Sequence, residues 1–234
     1  MENKYALVTG ASRGLGLELT RLLLEKEYSV AALIRKDGAS TNELKKQYKE
    51  KLLTFTCDVT DEDRLRDCAG KIAKAFPSLD ILLNNAAINL DKPPKRLEEL
   101  DFSIFEKTYA VNSVAPLKVA KHFLPLLKKG NEKTLVSISS EAGSIGNAQR
   151  KSEFAYCMSK AALNMGMKIL HNYLKDEGIR ILALHPGWIR SDMGGPHAEW
   201  TPAESAQKML SYIQSPPDDP ELIYLFSDGK PFAW

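Results

Sequence analysis

The sequence predicts an α/β fold in which one doubly wound parallel sheet of about seven strands carries helices on both faces. Two observations predict it. Short apolar runs of strand type alternate with longer helical patterns, and a glycine-rich turn joins the first run to the first helix. No repeat or flexible linker interrupts the series, and 234 residues are enough for one well-buried unit. We therefore expect a single domain over residues 1–234.

The first half of the chain alternates between the two periodicities. Residues 5–9 form an apolar run typical of a buried strand, and Leu15, Leu19, Leu22 and Leu23 then recur at the helical period. The same reasoning assigns the other elements of this half. We expect strands at residues 5–9, 29–34, 52–57 and 81–85, and helices at residues 15–27, 41–50 and 61–75.

The second half continues the alternation with longer helices. We expect strands at residues 134–139, 180–185 and 222–226, and helices at residues 102–129 and 156–177. A further helix should begin near Thr201, because Thr201, Pro202 and Glu204 are suited to be its cap, its first-position proline and its first-turn acid.

Composition excludes several classes of protein. The 32 basic and 30 acidic residues leave a net charge of +2, which gives no general attraction to nucleic acid or to an anionic membrane. Nowhere do eighteen apolar residues run together, and no amino-terminal signal segment is visible. The three cysteines form no metal-binding pattern with the four histidines. We expect a soluble cytoplasmic protein without a metal, a nucleic-acid partner or a membrane partner.

The glycine-rich turn indicates a phosphate-binding loop. Gly10, Gly14 and Gly16 lie between the first strand and the first helix, where backbone N–H groups and a helix amino terminus can approach a diphosphate. A side chain at these positions would block the approach. We take the following residues of the turn as cofactor-binding: Gly10, Ser12, Arg13, Gly14, Leu15 and Gly16.

Tyr156 and Lys160 form a pair one helical turn apart. Hydride transfer to a carbonyl leaves negative charge on the oxygen, and a phenol can deliver the proton that this oxygen needs. The ordinary pKa of a phenol is about 10, and a nearby ammonium group favours the tyrosinate. Such a pair occurs by chance in many helices. Together with the glycine turn, Asn112 and Ser140, in this order, it indicates a nicotinamide oxidoreductase.

These motifs resemble those of the short-chain dehydrogenase/reductase family over nearly the whole chain. The turn has the spacing TGxxxGxG, and the string from His185 to Gly195 with the chain end at residues 229–234 is similar to the branch of C-factor and Sniffer-like carbonyl reductases. The resemblance implies a Rossmann-type fold. It also implies that Tyr156 is the general acid/base, that Lys160 binds the nicotinamide ribose, and that Ser140 orients the substrate oxygen, with Ser139 as the alternative. Asn112 would interrupt its helix and hold a water near the lysine.

The resemblance also implies further cofactor contacts. Asp58, with Val59, would contact the adenine, although Asp58 could equally belong to a helix cap. Asn85 and Ala86 would line the ribose, in a motif where Ala87 replaces the family's glycine. The segment after the strand at residues 180–185 would bind the nicotinamide carboxamide through Pro186, Gly187, Ile189 and Ser191, the last replacing a threonine.

The residue that ends the second strand decides between the two nicotinamide cofactors. An acidic residue there binds the 2′-hydroxyl of NAD, whereas a basic one favours the 2′-phosphate of NADP. Arg35 follows Ile34 at this position, and Arg13 adds a second guanidinium. We therefore expect NADP(H) in preference to NAD(H). Asp37 leaves NAD(H) as the alternative, and residues 35–37 could also be only a solvated turn.

The predicted function is NADPH-dependent reduction of a ketone, aldehyde or quinone to an alcohol, or the reverse oxidation. The alternative is a nicotinamide-binding regulatory or signalling protein of the C-factor type. An epimerase or dehydratase is disfavoured because no second substrate domain follows residue 185, and an enoyl reductase because of its wider Tyr-to-Lys spacing. Candidate walls of the substrate cleft are Phe154, Trp188, Met193 and Trp200, and His185 is expected to be a packed core imidazole.

The two longest predicted helices also bear on assembly. Their apolar faces pack into a four-helix dimer seam in relatives, so a homodimer is expected. The same faces could instead pack only on the chain's own sheet.

Overall fold

The computed structural model describes residues 3–215, 219, 221 and 223–234. Within them, seven strands form one all-parallel sheet in the order β3-β2-β1-β4-β5-β6-β7. The strands are β1 (Lys4–Thr9), β2 (Tyr28–Ile34), β3 (Leu52–Thr56), β4 (Ile81–Asn84), β5 (Thr134–Ile138), β6 (Arg180–His185) and β7 (Tyr224–Phe226). The predicted fold class is confirmed. Position 222, where the last strand was expected to begin, lies outside the described residues.

Helices cover both faces of the sheet, as a parallel sheet buried on both sides requires. They are α1 (Gly14–Glu25), α2 (Ala39–Tyr48), α3 (Glu62–Ala75), α4 (Ser103–Tyr109), α5 (Ala115–Leu127), α6 (Phe154–Leu174) and α7 (Pro202–Gln214). One apolar core packs α3, α5 and α6 on the sheet, and a second packs α1, α2 and α7 on the opposite face. In the described part of the chain, no helix is long and apolar enough to cross a membrane.

The main departure from the predicted elements is in the helix expected over residues 102–129. It is divided into α4 and α5 by a π-helical turn at Ala110–Val114, which contains Asn112. Apolar periodicity cannot detect such a turn, because one extra residue hardly changes which face is buried. The start of α7 is as predicted: Thr201 accepts a hydrogen bond from the amide of Glu204, and the Glu204 carboxylate accepts one from the amide of Thr201.

Candidate active site

A cleft of about 550 Å³ lies at the carboxyl ends of the strands, where the strand order reverses between β1 and β4. Open α/β sheets bind their ligands at such a reversal. The residues that follow β1, β2, β3 and β4 form most of its wall. Those predicted from the sequence for cofactor binding and found in the lining are Gly10, Ser12, Arg13, Gly14, Leu15, Gly16, Arg35, Asp58, Val59, Asn85, Ala86 and Ser191.

Asn85 holds the glycine turn from behind. Its Nδ2 donates to the carbonyls of Thr9 (2.9 Å) and Gly10 (3.1 Å). A Cβ added at Gly16 would lie 2.4 Å from that same Nδ2 and 2.4 Å from the Gly10 oxygen. Gly16 is therefore required by the packing of the turn against the end of β4.

The open side of the turn fits a diphosphate. Gly14 has a φ of +55°, and no atom lies within 4 Å of the position that a Cβ would take there. Helix α1 begins at this residue, so its free N–H groups and the positive end of its dipole favour a bound anion. The residues present thus fit the dinucleotide that the sequence predicted.

The part of the cleft lining near Asp58 carries positive charge. Arg35 and Lys107 both line it. The pKa of Asp58 is lowered mainly by hydrogen bonds from the backbone and side chain of Thr60, and further by Arg35 and Lys107. Asp58 is not the cap of α3, since Asp61 precedes this helix and accepts from the amide of Arg64 in its first turn (3.0 Å).

Two carboxylates, Asp37 outside the cleft lining and Asp192 within it, are already paired with cations. Asp37 accepts from Lys45 Nζ at 2.9 Å, and it does not belong to the lining. Asp192 accepts from Arg13 Nη1 at 2.6 Å, which joins the glycine turn to the segment after β6. Both partners of this second pair are largely exposed.

Tyr156 and Lys160 are both buried on α6. The Lys160 ammonium lies 5.8 Å from the centre of the Tyr156 ring, and it donates to the carbonyl of Ile138 at the end of β5 (2.7 Å). The amide of Tyr156 donates to Asp91 Oδ2 (2.7 Å), so Asp91, from the loop after β4, caps the helix at the tyrosine. The end of β5 therefore holds Lys160, and the loop after β4 holds the backbone of Tyr156.

Burial dominates the proton affinities of this pair. It raises the pKa of Tyr156 to about 12 and lowers the pKa of Lys160 to about 8. Burial therefore outweighs any lowering of the phenol pKa by the field of the lysine, which was the effect expected from the sequence. The physical reason is that the desolvation of both groups disfavours their charged forms.

Asn112 lies in the π-helical turn and ties three segments together. Its amide exchanges two hydrogen bonds with the backbone of Ile88 (2.8 and 2.9 Å) and donates to Ser159 Oγ (3.0 Å). Ser159 in turn donates to the carbonyl of Tyr156 (2.7 Å). The wider π turn allows the Asn112 side chain to reach α6, which carries Tyr156 and Lys160, and π turns are often found at functional sites.

Ser139 and Ser140 point in different directions. The Ser139 hydroxyl donates to Asn164 Oδ1 (2.5 Å) in the interior. The Ser140 hydroxyl donates to Glu141 Oε2 (2.6 Å) and accepts from the amide of Ala142 (3.2 Å). Ser140 also partly offsets the effect of burial on the pKa of Tyr156, whereas Ser139 has no such effect among the causes of that shift. This geometry favours Ser140 over Ser139 as the substrate-orienting residue.

The structure does not bring every predicted site residue into the cleft lining. Pro186, Gly187 and Ile189, together with Asn112, Ser140, Tyr156 and Lys160, are outside it. Gly187 has a φ of +84° and packs against Trp200, whose ring also lies 3.2 Å below Lys208 Nζ. The Trp200 ring, a candidate wall of the substrate cleft, thus packs between Gly187 and Lys208. His185 is buried among Phe226 and Phe232, as expected for a core imidazole.

Several residues that line the cleft were not among those predicted from the sequence. Lys107, Ala110 and Val111 share one side of the segment from α4 to the π turn, and their helical spacing was a usable signal. Arg190 and Asp192 enter from the segment after β6. The remaining members are Leu33, Cys57, Thr60, Ala87, Ile88 and Met193, of which Met193 had been predicted as a substrate wall.

Comparisons with known proteins agree with this architecture. The sequence matches the model of the short chain dehydrogenase family over residues 4–202. The fold superimposes on the carbonyl reductase Sniffer of D. melanogaster with a TM-score of 0.91 and 28% identity, and on an NADPH-bound carbonyl reductase from chicken fatty liver with a TM-score of 0.89 and 31% identity, each over 100% of both chains.

The sequence is also similar to C-signal of Myxococcus xanthus, with 35% identity over 135 residues that cover 58% of this chain and 80% of that protein. The similarity therefore extends to a protein whose name describes a signal as well as to reductases. The chain belongs to the short-chain dehydrogenase family, as an NAD(P)-dependent oxidoreductase of the branch that includes the Sniffer-like carbonyl reductases and C-signal.

Proposed function

We propose that this protein reduces a ketone, aldehyde or quinone with NADPH, using Tyr156 as the proton donor. The observation that carries this proposal is the buried pair on α6, in which the Lys160 ammonium lies 5.8 Å from the centre of the Tyr156 ring and the pKa of the phenol is about 12. At neutral pH such a phenol is protonated. It is therefore ready to give its proton to an oxygen that becomes negative, which favours the reductive direction.

The bound nicotinamide would supply the hydride, and the chain's own residues would do the rest. Ser140 would orient the carbonyl oxygen toward Tyr156. Lys160 is held by the Ile138 carbonyl, and with a pKa of about 8 it is mostly charged at neutral pH. A positive group near the phenol stabilises the tyrosinate that forms as the proton leaves. Asn112 would keep the loop at Ile88 and the helix of Tyr156 in register.

The preference for NADPH over NADH rests on the positive charge of the cleft lining. Its cations are Arg13, Arg35, Lys107 and Arg190, of which Arg13 is paired with Asp192, and guanidinium groups match phosphate by geometry as well as charge. Asp37, the residue that favoured NAD in the sequence, is paired with Lys45 outside the lining. The NADPH-bound reductase from chicken fatty liver, which covers the whole chain, supports the same preference.

The test is consumption of NADPH and NADH by the purified protein with diketones, quinones and aromatic aldehydes, beside Tyr156→Phe. We expect activity that prefers NADPH and falls by about 10²–10⁴-fold in the variant, as for loss of a general acid. Arg35→Ser should weaken NADPH binding and leave NADH binding nearly unchanged, because only NADPH carries the 2′-phosphate. Equal losses for both cofactors would contradict the assignment of Arg35.

The similarity to C-signal favours a second candidate, a nicotinamide-binding signalling protein with incidental turnover. This candidate predicts that NADPH raises the melting temperature while no carbonyl in the panel is reduced. It does not need the buried Tyr156 and Lys160 pair, whose burial costs stability without a reaction to serve.

We also propose a homodimer formed through α6. An apolar stripe runs along the exposed side of this helix and contains Met158, Met165, Ile169 and Tyr173, each 59–72% exposed. The spacing of these residues places them on one face. The helix-on-sheet alternative buries the opposite face, which already packs in the core through Leu163 and Met167.

A further inference from the structure

Beside the catalytic serine lies a network of charges that the proposed reaction does not use. Glu141 directly follows Ser140, and Arg150 reaches back to it from the loop before α6. The same guanidinium bonds Glu153, the residue that precedes α6 and adopts a φ of +62°. Asn89 donates to the other oxygen of Glu153 (2.8 Å), which links the network to the loop after β4.

The Ser140 hydroxyl has a single proton, and in this structure Glu141 holds it. The distance from Ser140 Oγ to Glu141 Oε2 is 2.6 Å, and the amide of Ala142 donates to the same Oγ. A hydroxyl has one donor and two acceptor positions. To donate to a substrate carbonyl oxygen, the Ser140 hydroxyl would therefore have to turn away from the Glu141 carboxylate.

Arg150 is the counter-charge of this carboxylate. Burial alone would raise the pKa of Glu141, but hydrogen bonds from Ser140 and Arg150 outweigh it and lower that pKa. Glu141 is thus ionised at neutral pH. His185 Nδ1 lies 3.7 Å from Glu141, but burial lowers the pKa of His185, so the imidazole stays neutral and cannot replace the guanidinium.

We propose that Glu141 and Arg150 act together as positioning residues: Glu141 fixes the direction of the Ser140 hydroxyl, and Arg150 cancels the field of Glu141 at the Tyr156 phenol. The inference rests on the proposed function, in which Ser140 and Tyr156 act on the substrate. The charged groups around the phenol are Lys160 on its own helix, Glu153 before it, Asp91 from the loop after β4, Glu141 and Arg150, with neutral His185 at the end of β6.

The two residues act on the phenol in opposite directions. The Glu141 carboxylate raises the pKa of Tyr156, and the Arg150 guanidinium lowers it. Glu141→Gln keeps the size and an acceptor for Ser140 but removes the charge, so the phenol should ionise more easily. Arg150→Met keeps the stem and removes the counter-charge, so the phenol should ionise less easily. A purely structural role would not give opposite signs.

The test is the fraction of tyrosinate at Tyr156, followed by NMR of tyrosine labelled at the ring carbon that bears the hydroxyl, and assigned with Tyr156→Phe. It is measured at one alkaline pH at which circular dichroism shows each variant to be folded, and it needs no turnover. We expect a higher fraction than wild type in Glu141→Gln and a lower one in Arg150→Met. Each change should shift the pKa of Tyr156 by roughly one unit, the low end of the effect of a neighbouring charge.

The double variant Glu141→Gln, Arg150→Met should return close to wild type. The matched control is Asp67→Asn with Lys71→Met, an exposed ion pair of 2.7 Å on α3, which should leave the Tyr156 signal unchanged. Shifts of the same sign in the two single variants, or no shift in either, would overturn the inference.

NADPH-dependent reduction is measured on the same samples. If wild type reduces no carbonyl while the opposite shifts are seen, the proposed function fails and the coupling of Glu141 and Arg150 to the phenol stands. If reduction depends on Tyr156 but the shifts are absent, the function stands and this inference fails.

Discussion

Gly16→Ala should destabilise the protein by about 2–4 kcal/mol, because the packing behind the glycine turn leaves no space for a methyl group. The new Cβ would lie 2.4 Å from both the Gly10 oxygen and Asn85 Nδ2. Overpacking of this kind costs about 1–3 kcal/mol. Displacing Asn85 would also weaken two hydrogen bonds to the turn, each worth about 1 kcal/mol. The better helix propensity of alanine in α1 returns about 1 kcal/mol.

Alanine substitutions at two other glycines measure the cost of backbone strain without steric overlap. Gly178 and Gly14 have φ values of +69° and +55°, and nothing lies within 4 Å of an added Cβ at either position. Alanine at each should cost only the left-handed conformation, about 1–2 kcal/mol. Gly14 lines the cleft, whereas Gly178 follows α6 at the other end of the sheet. Gly14→Ala should therefore also weaken NADPH binding, by about tenfold or more if the methyl meets the diphosphate.

The assay is urea unfolding followed by circular dichroism, together with NADPH titration by fluorescence. We expect Gly16→Ala to be the least stable of the three variants, and Gly14→Ala and Gly178→Ala to be equal in stability but different in NADPH affinity. If Gly16→Ala were as stable as Gly178→Ala, Asn85 would not hold the turn as described. If Gly14→Ala bound NADPH like wild type, the diphosphate would not lie over the turn.

Three further predictions concern α6 and its pair. Asp91→Ala should lower kcat and reduce the free energy of unfolding in urea by about 1–2 kcal/mol, because the amide of Tyr156 loses its acceptor. Asp91→Asn should retain most of the activity and most of the stability. Equal losses in the two variants would contradict the capping role of Asp91. Lys160 has a folded-state pKa of about 8 against 10.5 in the unfolded chain, so the unfolded state holds the extra proton between these values. The stability difference between wild type and Lys160→Met should therefore change in favour of wild type by on the order of 3 kcal/mol from pH 8 to 10.5. Lys160→Met should lack this contribution, and an identical pH dependence in the two proteins would refute it. Ile169→Glu should yield a folded monomer in analytical ultracentrifugation, whereas Leu97→Glu, an exposed apolar residue outside the stripe, should not change the mass; a dimer in both would exclude this face.

The local part of the site could be predicted from the sequence because it depends on short-range geometry. The glycine turn, the strand that leads into it and the cap at Thr201 need only neighbouring residues, so their patterns are complete within a few positions. The strands were found for the same reason, since buried parallel strands are short apolar runs. The π turn at Asn112 was expected only from resemblance, because periodicity does not change there.

The long-range part could not be predicted. Asp91 caps the helix of Tyr156 from a position 65 residues earlier. Lys107 lines the same cleft as Arg35, although Lys107 lies on α4, after β4, and Arg35 follows β2. Pairing of Asp37 with Lys45 weakens the sequence argument for NAD, and a side-chain pair of this kind has no signature in the sequence.

The sequence by itself determined the fold class, the glycine-rich turn between β1 and α1, and the Tyr156 and Lys160 pair one helical turn apart, because these depend on residue type and spacing along the chain. Only the tertiary structure decided the proton affinities of that pair and the direction of the Ser140 hydroxyl. Both depend on how much water is excluded and on which distant carboxylates and cations are brought within reach, and burial and charge contacts of this kind arise only when the strands are placed side by side.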